Sequence, residues 1–350
     1  MKLRIAQIAS IAFSVPPKSH GGTEIAIDLL TRGLVARGHD VTLFASGDSQ
    51  APRGARLHAV VPRATQDDPD PSVTSYLERE YEVRNVAEAY AEADQFDVLH
   101  SHWPTPAAYF ARTTRRPSVM TYAYMERPLH EYYRAHAPGL HPVCVTEAQR
   151  RMLGADSSLP VIPYGIDVGR IPFRGEPGDF LLTVGRLVPT KGADRAIAIA
   201  RRAGLPLTIV GDVTPYLADS RPYYEERILP HVDGNRVRHF PTLPNAEVLA
   251  LMGRARAFLF PISWDEPFGL VVAEAMAAGT PVLATPRGSL PELVEHGVTG
   301  FLGETDEELA EYAERAGDLD RAACRRRAEE RYSADRMVSD YEALYRTLLV

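Results

Sequence analysis

Short hydrophobic runs alternate with longer amphipathic segments along the chain. The runs LRIAQIAS, VTLFAS, FDVLHSH, SVMTYAY and HPVCVTE predict strands, and helical periodicity covers residues 23–37 and 73–93. After the proline- and glycine-rich stretch IPYGIDVGRIPFRGEPGD, the alternation restarts with DFLLTVGRL and continues through LTIVGD, VRHFP, AFLFPIS and TPVLATP. Strands that alternate with helices are typical of parallel sheets, so the pattern predicts two doubly wound α/β domains joined by a linker.

The predicted domains are residues 1–168 and residues 169–333, both Rossmann-like. The last segment, ADRMVSDYEALYRTLLV, covers residues 334–350 and has helical periodicity. We expect this helix to pack back on the first domain. A length of 350 residues with 45% hydrophobic content is enough to bury two ordinary cores.

The composition favours an intracellular protein that acts on small molecules. A net charge of −7 argues against nucleic acid as a partner, because neutralising phosphates needs a basic face. No apolar run reaches the roughly 18 residues needed to span a bilayer, and the amino end does not resemble a secretion signal. Two cysteines make neither a disulfide framework nor a metal knuckle. We therefore expect a cytoplasmic enzyme, with membrane contact disfavoured.

Two glutamates in WDEPFGLVVAEAMAAGTPV need polar partners. Glu266 precedes a predicted helix that starts near Phe268 or Gly269, and Glu274 lies about a turn and a half inside it. The surrounding small apolar residues offer a carboxylate no partner, and burying an unpaired charge costs several kcal/mol. The first amides of such a helix attract anions. The pattern predicts a phosphate-binding loop bordered by two carboxylates.

Two further turns contain candidate binding residues. The first strand-to-helix turn lacks the G-x-G-x-x-G fingerprint, which disfavours an NAD enzyme, but Gly21 and Gly22 allow a ligand to approach the backbone. An ordinary turn would explain the same two glycines. In VGRLVPTKG, Arg186 and Lys191 follow a strand and can reach an anion at its carboxyl end. A solvated basic turn is the alternative there.

The order and spacing of several motifs resemble those of glycosyltransferase family 4. These motifs are HGGTE, LVARGHDVTLFA, FDVLHSHW, IPYGID, VGRLVPTKG, IVGD, EPFGLVVAEAMAAGTPVLATPRGSLPEL and HGVTGFL. Members of this family are retaining enzymes of the GT-B fold, in which two Rossmann-like domains face each other across a cleft. The resemblance spans nearly the whole chain. It implies a nucleoside diphosphate sugar as donor, with UDP favoured, and no cofactor.

The resemblance implies a role for each candidate residue of the second domain. Glu274 would bind the ribose hydroxyls and Glu266 the hydroxyls of the donor sugar, because a carboxylate accepts two charge-assisted hydrogen bonds. Arg186 and Lys191 would stabilise the leaving diphosphate. The remaining implied donor contacts are Gly21, Gly22, Gly185, Thr242, Leu243, Phe268, Gly269 and Leu270.

In the first domain the resemblance places His102 beside the reacting sugar, whereas His100 is expected to be structural. The acceptor residues are expected in the aromatic segments around Trp103 and from Tyr122 to Glu126, including Tyr124, since tyrosine rings and carboxylates suit sugar rings and hydroxyls. The helical run SYLEREYEVRNVAEAYAEAD is mainly acidic, which favours a soluble polar acceptor such as a small molecule or glycan.

No metal is expected to take part. His100 and His102 lack a third ligand nearby, and the DxD match at Asp68 to Asp70 lies in a proline-broken acidic loop. The resemblance implies a front-face reaction in which the leaving diphosphate accepts the acceptor's proton. Three alternatives stay open: an epimerase or phosphorylase on the same fold, a catalytically silent binding protein, and a transferase with a lipid-linked acceptor at a membrane surface.

Overall fold

The chain folds into two units of parallel α/β structure. The computed structural model describes residues 1–18, 21–102, 104–214 and 217–349. Unit 1 contains Met1–Gly165 together with the segment from Ala334 onwards, and unit 2 contains Ile166–Ser333. The first boundary lies three residues before the one expected from the sequence.

Unit 1 contains a six-stranded parallel sheet in the order β3-β2-β1-β4-β5-β6. Its strands are β1 (Arg4–Ile8), β2 (Asp40–Phe44), β3 (Arg56–His58), β4 (Val98–Ser101), β5 (Ser118–Tyr122) and β6 (Leu140–Cys144). Its helices are α1 (Gly22–Ala36), α2 (Glu78–Ala91), α3 (Pro104–Phe110), α4 (Arg127–His136), α5 (Glu147–Met152) and α13 (Ala334–Thr347). A single π-helical turn, Val73–Leu77, precedes α2.

Unit 2 contains a second six-stranded parallel sheet, in the order β12-β11-β10-β7-β8-β9. Its strands are β7 (Leu181–Val184), β8 (Leu207–Val210), β9 (Val237–Phe240), β10 (Ala257–Phe260), β11 (Val282–Ala284) and β12 (Gly300–Leu302). Its helices are α6 (Ala193–Arg202), α7 (Ser220–Tyr223), α8 (Asn245–Arg254), α9 (Leu270–Ala277), α10 (Leu290–Leu293), α11 (Asp306–Arg315) and α12 (Arg321–Tyr332).

Both sheets have the strand order of a doubly wound Rossmann fold, which confirms the predicted fold class. Counted within each unit, the first strand lies beside the fourth, so the winding reverses between β1 and β4 and between β7 and β10. Ligands of open α/β sheets bind outside the carboxyl ends of the strands at such a reversal. Each unit therefore has one edge position where a ligand is expected.

The central strands are buried on both faces because helices cover both sides of each sheet. All residues of β4, β8 and β10 are buried, as expected for parallel strands in this type of fold. Helix α13 packs on α1 so closely that a Cβ at Gly33 would lie 2.4 Å from the side chain of Val338. The absence of a side chain at Gly33 thus allows the last helix to join unit 1.

Candidate active site

The turn after β7 presents two cations at the reversal point of the unit 2 sheet. Arg186 is exposed, and Lys191 ends a short 3₁₀ turn that begins at Pro189. Gly192 follows with φ 72° and precedes α6. A Cβ at Gly192 would lie 2.3 Å from the carbonyl oxygen of Pro261, in the loop after β10. Close contact between the two loops therefore requires glycine at this position.

Lys191 forms an ion pair with Glu266 across these two loops. The distance from Nζ to Oε2 is 2.6 Å, and the two side chains are only 15% and 12% exposed. The Lys191 ammonium also lies 4.7 Å from the ring centroid of Trp264 and 5.3 Å from that of Phe260. Each charge is thereby compensated away from bulk water. The sequence suggested both residues as ligand contacts but not that they bind each other.

Helix α9 begins directly beside this ion pair. Gly269 adopts φ 88°, a conformation that favours glycine, and Leu270 is the first helical residue. The first amides of an α-helix have no partner within the helix and carry its positive dipole end. The structure thus brings Phe268, Gly269 and Leu270 to the same edge as Lys191.

Glu274 lies in the second turn of α9. It is largely buried, and this burial raises the pKa of its carboxyl to about 7. Among the described residues no side chain forms an ion pair with it. A carboxylate in this setting gains from hydroxyl donors supplied by a ligand.

A second loop supports the backbone around Glu266. The Ser289 amide donates to the carbonyl oxygen of Glu266 at 2.9 Å, and the Ser289 hydroxyl donates to that of Phe268 at 2.7 Å. A Cβ at Gly288 would lie 2.4 Å from the backbone of Glu266. Sequence reasoning did not assign roles to Gly288 and Ser289; their position in TPRGSLPEL was the only available signal.

Thr242 lies after β9, at the same edge of the unit 2 sheet. Its hydroxyl donates to Asp212 Oδ2 at 2.9 Å, and Asp212 follows β8. Thr242 is exposed and Leu243 is half-buried. Both residues are thus available for contact with a ligand at the carboxyl ends of the strands.

His102 follows β4 at the reversal point of the unit 1 sheet. Its amide donates to the Ile8 carbonyl oxygen at 2.9 Å, and its Nε2 lies 2.7 Å from Gln7 Oε1. The side chain is almost fully buried, and burial lowers the pKa of His102 to about 3. The imidazole is therefore neutral at physiological pH and does not act as a cationic acid.

Gly21 precedes α1, and Gly22 is the first residue of that helix. Gly21 has φ 150°, and a Cβ there would lie 2.7 Å from Glu24 Oε2. The backbone at Gly21 is therefore packed against the buried side chain of Glu24, which is 6% exposed.

A second buried glutamate of unit 1, which the sequence did not single out, lies at the carboxyl edge of its sheet. Glu82 on α2 accepts hydrogen bonds from the hydroxyl of Ser10 and from the amide of Ile11, which is 2.9 Å away. Burial raises the pKa of Glu82 to about 7. The acidic charge of the helical run made Glu82 indistinguishable from its solvated neighbours.

Of the four acceptor residues predicted, the structure brings two together at the surface. Tyr124 is 54% exposed, and its hydroxyl donates to Glu126 Oε1 at 2.9 Å. The prediction that Tyr122 contacts the acceptor is wrong. Tyr122 ends β5 and is fully buried in the core, so its ring has no free face for a sugar. Trp103 lies outside the described residues.

Asp68 and Asp70 bond to their own loop. Asp68 Oδ1 accepts from the Asp70 amide at 3.0 Å, and Asp70 Oδ1 accepts from the Ser72 amide at 2.9 Å. In the described parts of the chain, no group of three histidine, cysteine or acidic side chains is arranged as a metal site. No helix in those parts is long and apolar enough to cross a membrane.

The architecture of GT-B glycosyltransferases consists of two Rossmann-type units, and here one unit places cations, carboxylates and a helix amino end at the reversal of its sheet. The family profile described as "Glycosyl transferases group 1" matches residues 171–331, and that described as "Glycosyltransferase Family 4" matches residues 20–170. The chain belongs to the family 4 glycosyltransferases, a family of transferase enzymes, which confirms the resemblance found in the sequence.

Individual proteins resemble this chain in sequence or in fold. Glycogen synthase of Mycobacterium tuberculosis is 38% identical over 199 residues, an alignment that covers 53% of this chain and only 45% of that relative. The crystal structure of AviGT4, a glycosyltransferase involved in avilamycin A biosynthesis, is 26% identical, with a TM-score of 0.73 and coverage of 99% and 98% of the two chains. Anabaena HepE in complex with UDP and glucose is 20% identical, with a TM-score of 0.73 and coverage of 98% and 99%.

Proposed function

We propose that this protein transfers a hexose-type sugar from a nucleoside diphosphate sugar to a hydroxyl group of a soluble polar acceptor, with retention of anomeric configuration and without a metal. The observation that carries the proposal is the Lys191–Glu266 ion pair, 2.6 Å long, beside the amino end of α9. A cation, a carboxylate and the amino end of a helix at one sheet edge match a diphosphate joined to a sugar.

When the donor binds, Lys191 and Glu266 give up their contact with each other for contacts with the donor. The diphosphate takes Lys191 and Arg186 together with the first amides of α9, and Glu266 accepts hydrogen bonds from the transferred sugar. Glu274, one turn further along α9, accepts from the ribose hydroxyls. Thr242 and Leu243 at the end of β9 lie towards the base. UDP is the proposed nucleotide, by analogy with the complex that HepE forms.

The chemistry follows from charge development at the leaving group. The bond from the anomeric carbon to the β-phosphate oxygen breaks, and the acceptor oxygen bonds to the same carbon on the same face. The acceptor's proton passes to the departing phosphate oxygen. Arg186 and Lys191 stabilise the negative charge that grows on the diphosphate, so they act more strongly in the transition state than in the bound donor. Neutral His102 contributes a polar contact rather than a proton.

The acceptor site is proposed for unit 1, at its carboxyl edge. Tyr124 presents an exposed ring next to the carboxylate of Glu126, which suits sugar rings and hydroxyls. Helix α2 has two acidic side chains, Glu78 and Glu80, in its first turn, whereas binding to anionic lipid needs a basic face. We therefore propose a soluble acceptor in the cytoplasm rather than a lipid-linked one.

The deciding experiment incubates the protein with UDP-, GDP- and ADP-sugars, with and without simple glycosides as acceptors. Release of nucleoside diphosphate together with a new glycoside supports transfer, and the anomeric proton coupling in the product reports retention or inversion. An altered nucleotide sugar without release of diphosphate identifies an epimerase. Binding of every donor without turnover identifies a silent binding protein.

A further inference from the structure

Five polar side chains lie together in the interior of unit 1. Gln7 of β1, His100 of β4 and Thr121 of β5 are fully buried, and Tyr341 and Tyr345 of α13 are at most 1% exposed. Buried polar groups without hydrogen bonds cost free energy, so a group of five needs a shared network. No role in donor or acceptor binding accounts for these residues.

The five side chains form one continuous chain of hydrogen bonds. Gln7 Nε2 donates to the Tyr345 hydroxyl at 3.1 Å, and that hydroxyl lies 2.6 Å from His100 Nδ1. His100 Nε2 lies 2.8 Å from Thr121 Oγ1, which lies 2.5 Å from the Tyr341 hydroxyl. The other end of the Gln7 amide, Oε1, lies 2.7 Å from Nε2 of His102. The network therefore connects the last helix of the chain to His102.

The direction of each bond follows from the amide of Gln7. Because Gln7 Nε2 donates to Tyr345, its Oε1 must accept, and the hydrogen on that bond belongs to Nε2 of His102. Tyr345 then donates to Nδ1 of His100, and Nε2 of His100 donates to Thr121. Nδ1 of His102 is left as a lone pair, and no hydrogen bond reaches it among the described residues. If the Gln7 amide and the bonds that follow from it ran the other way, Nδ1 of His102 would carry a buried N–H without a partner. Proteins avoid such a group more strictly than an unfilled acceptor.

We propose that Gln7 and Tyr345 are positioning residues for His102, holding its ring in the Nε2–H form so that the bare Nδ1 accepts a hydrogen bond from a substrate hydroxyl. The inference rests on the proposed function, because a sugar substrate is what supplies the hydroxyl. Helix α13 thereby supports the site through Tyr345, which is 245 positions from His100 in the sequence. Burial keeps both histidines neutral, so the choice between the two neutral forms is the property that the network controls.

The test compares three variants of the full chain. Gln7→Met removes both amide atoms at similar volume, and Tyr345→Phe removes the hydroxyl that holds the Gln7 amide. Tyr341→Phe is the matched control, because it removes a buried hydroxyl from the same helix at the far end of the network. Thermal unfolding of all three variants identifies any loss of activity that comes from loss of the fold.

Nitrogen NMR of histidine-labelled, ligand-free protein reads the ring form directly. In the wild type, Nε2 of His102 is expected to carry hydrogen and Nδ1 to be bare. Gln7→Met is expected to give a mixture of the two forms, and kcat is expected to fall roughly 10-fold, the lower end of the effect of losing a partner that orients a metal-bound histidine. Donor KM is expected to change little. In Tyr345→Phe, the mixture of ring forms and kcat are expected to lie between those of the wild type and those of Gln7→Met. Tyr341→Phe is expected to match the wild type in both.

The inference is overturned if His102 carries hydrogen on Nδ1 in the wild type, or if folded Gln7→Met keeps both the ring form and the kcat of the wild type. Equal losses in Tyr345→Phe and Tyr341→Phe would also overturn it, since they would indicate loss of packing alone. If the wild type shows the expected ring form but transfers no sugar from any donor, the proposed function is wrong. The spectrum would still support the placement of hydrogen on Nε2 of His102.

Discussion

At the scale of single residues, one glutamate in each unit has a carboxyl whose pKa is raised above the ordinary value. Burial raises the pKa of both Glu82 in unit 1 and Glu274 in unit 2 to about 7. Glu82 already has two donors, from Ser10 and Ile11, whereas Glu274 has no charged partner among the described residues. Both carboxyls therefore lower the free energy of unfolding as the pH rises, and Glu274 in addition couples the pH to ligand binding.

Glu82 makes the folded protein less stable as the pH rises. An ordinary glutamate has a pKa of 4.5 and this one a pKa of about 7, so the folded state binds the extra proton between these values. The free energy of unfolding must therefore fall as pH rises through that window and level off above it. Glu82→Gln stays neutral, and at about pH 8 we expect it to be more stable than the wild type by up to roughly 3 kcal/mol.

Urea unfolding at about pH 5 and about pH 8 measures this difference. Glu80→Gln is the matched control, because it removes a similar charge from the exposed face of the same helix. A Glu82→Gln variant with the same pH dependence as the wild type would show that the buried carboxyl does not change its proton occupancy on folding.

Glu274 makes nucleotide binding depend on pH in the opposite sense. The ionised carboxylate accepts ribose hydroxyls better than the protonated acid, so binding favours loss of the proton. Below about pH 7 we expect UDP affinity to fall by up to tenfold per pH unit, and the slope to disappear in Glu274→Gln. Calorimetric titration with UDP from about pH 6 to about pH 8 checks this, and the variant corrects for titration of the phosphate. An unchanged slope in the variant would contradict the ribose assignment.

The Lys191–Glu266 pair predicts different consequences for its two members. Lys191→Ala removes a fixed cation from the leaving group, so kcat/KM is expected to fall roughly 10²-fold or more. Glu266→Gln removes the anion that competes with the diphosphate for Lys191, so UDP affinity is expected to stay unchanged or rise while transfer slows and donor sugars are less well distinguished.

Binding titrations with UDP and steady-state rates with several donor sugars separate these two effects. Weaker UDP binding in Glu266→Gln, equal to that in Lys191→Ala, would show that the carboxylate supports the diphosphate site rather than the sugar site.

At the scale of elements, the start of α6 holds the Lys191 loop against the loop after β10. Gly192 and Gly204 both have left-handed φ values, 72° and 67°, but a Cβ at Gly192 meets the Pro261 carbonyl oxygen, whereas one at Gly204 meets nothing within 4 Å. Gly204→Ala is expected to cost roughly 1 kcal/mol, the strain of that conformation alone. Gly192→Ala is expected to cost more and to weaken UDP binding as well, because the two loops must separate.

Chemical unfolding and UDP titration of both variants check this contrast. If Gly192→Ala resembles Gly204→Ala in both measurements, close contact between the loops is not needed for the site.

The elements themselves could be predicted from sequence because each has a local signal. The run LTIV forms β8, AFLF forms β10, and the helix expected at residues 23–37 is α1 at Gly22–Ala36. Strands buried on both faces carry no alternation, however, so SVMTY gave no sign that the ring of Tyr122 points into the core. That strand was predicted correctly while the role given to its last residue was wrong.

Contacts between distant parts of the chain could not be predicted. Lys191 and Glu266 were each identified from a local motif, but their pairing depends on β7 lying beside β10. The contact between Gln7 and Tyr345 spans 338 positions and involves residue types that also occur singly in many cores. Long-range pairing follows from strand order, and strand order is not encoded in any one segment.

At the scale of the whole molecule, the proposed reaction needs no divalent cation, because Arg186 and Lys191 supply the positive charge at the leaving group. EDTA is expected to leave the transfer rate unchanged, and added Mn²⁺ or Mg²⁺ is expected to change it less than twofold, well within the effect of one charge contact. Rates measured after dialysis against EDTA check this. Loss of activity that Mn²⁺ restores would contradict the metal-free mechanism.

Unit 1 is assembled from two separate parts of the chain, and this affects the order in which the protein matures on the ribosome. Unit 2 is continuous from Ile166 to Ser333, so it has all its residues before α13 has been translated. Until then, Gln7, His100 and Thr121 lack the tyrosine hydroxyls of α13. Domains generally fold from the amino terminus as synthesis proceeds. In this protein, unit 1 is the first unit to be translated in part and the last to have all its residues.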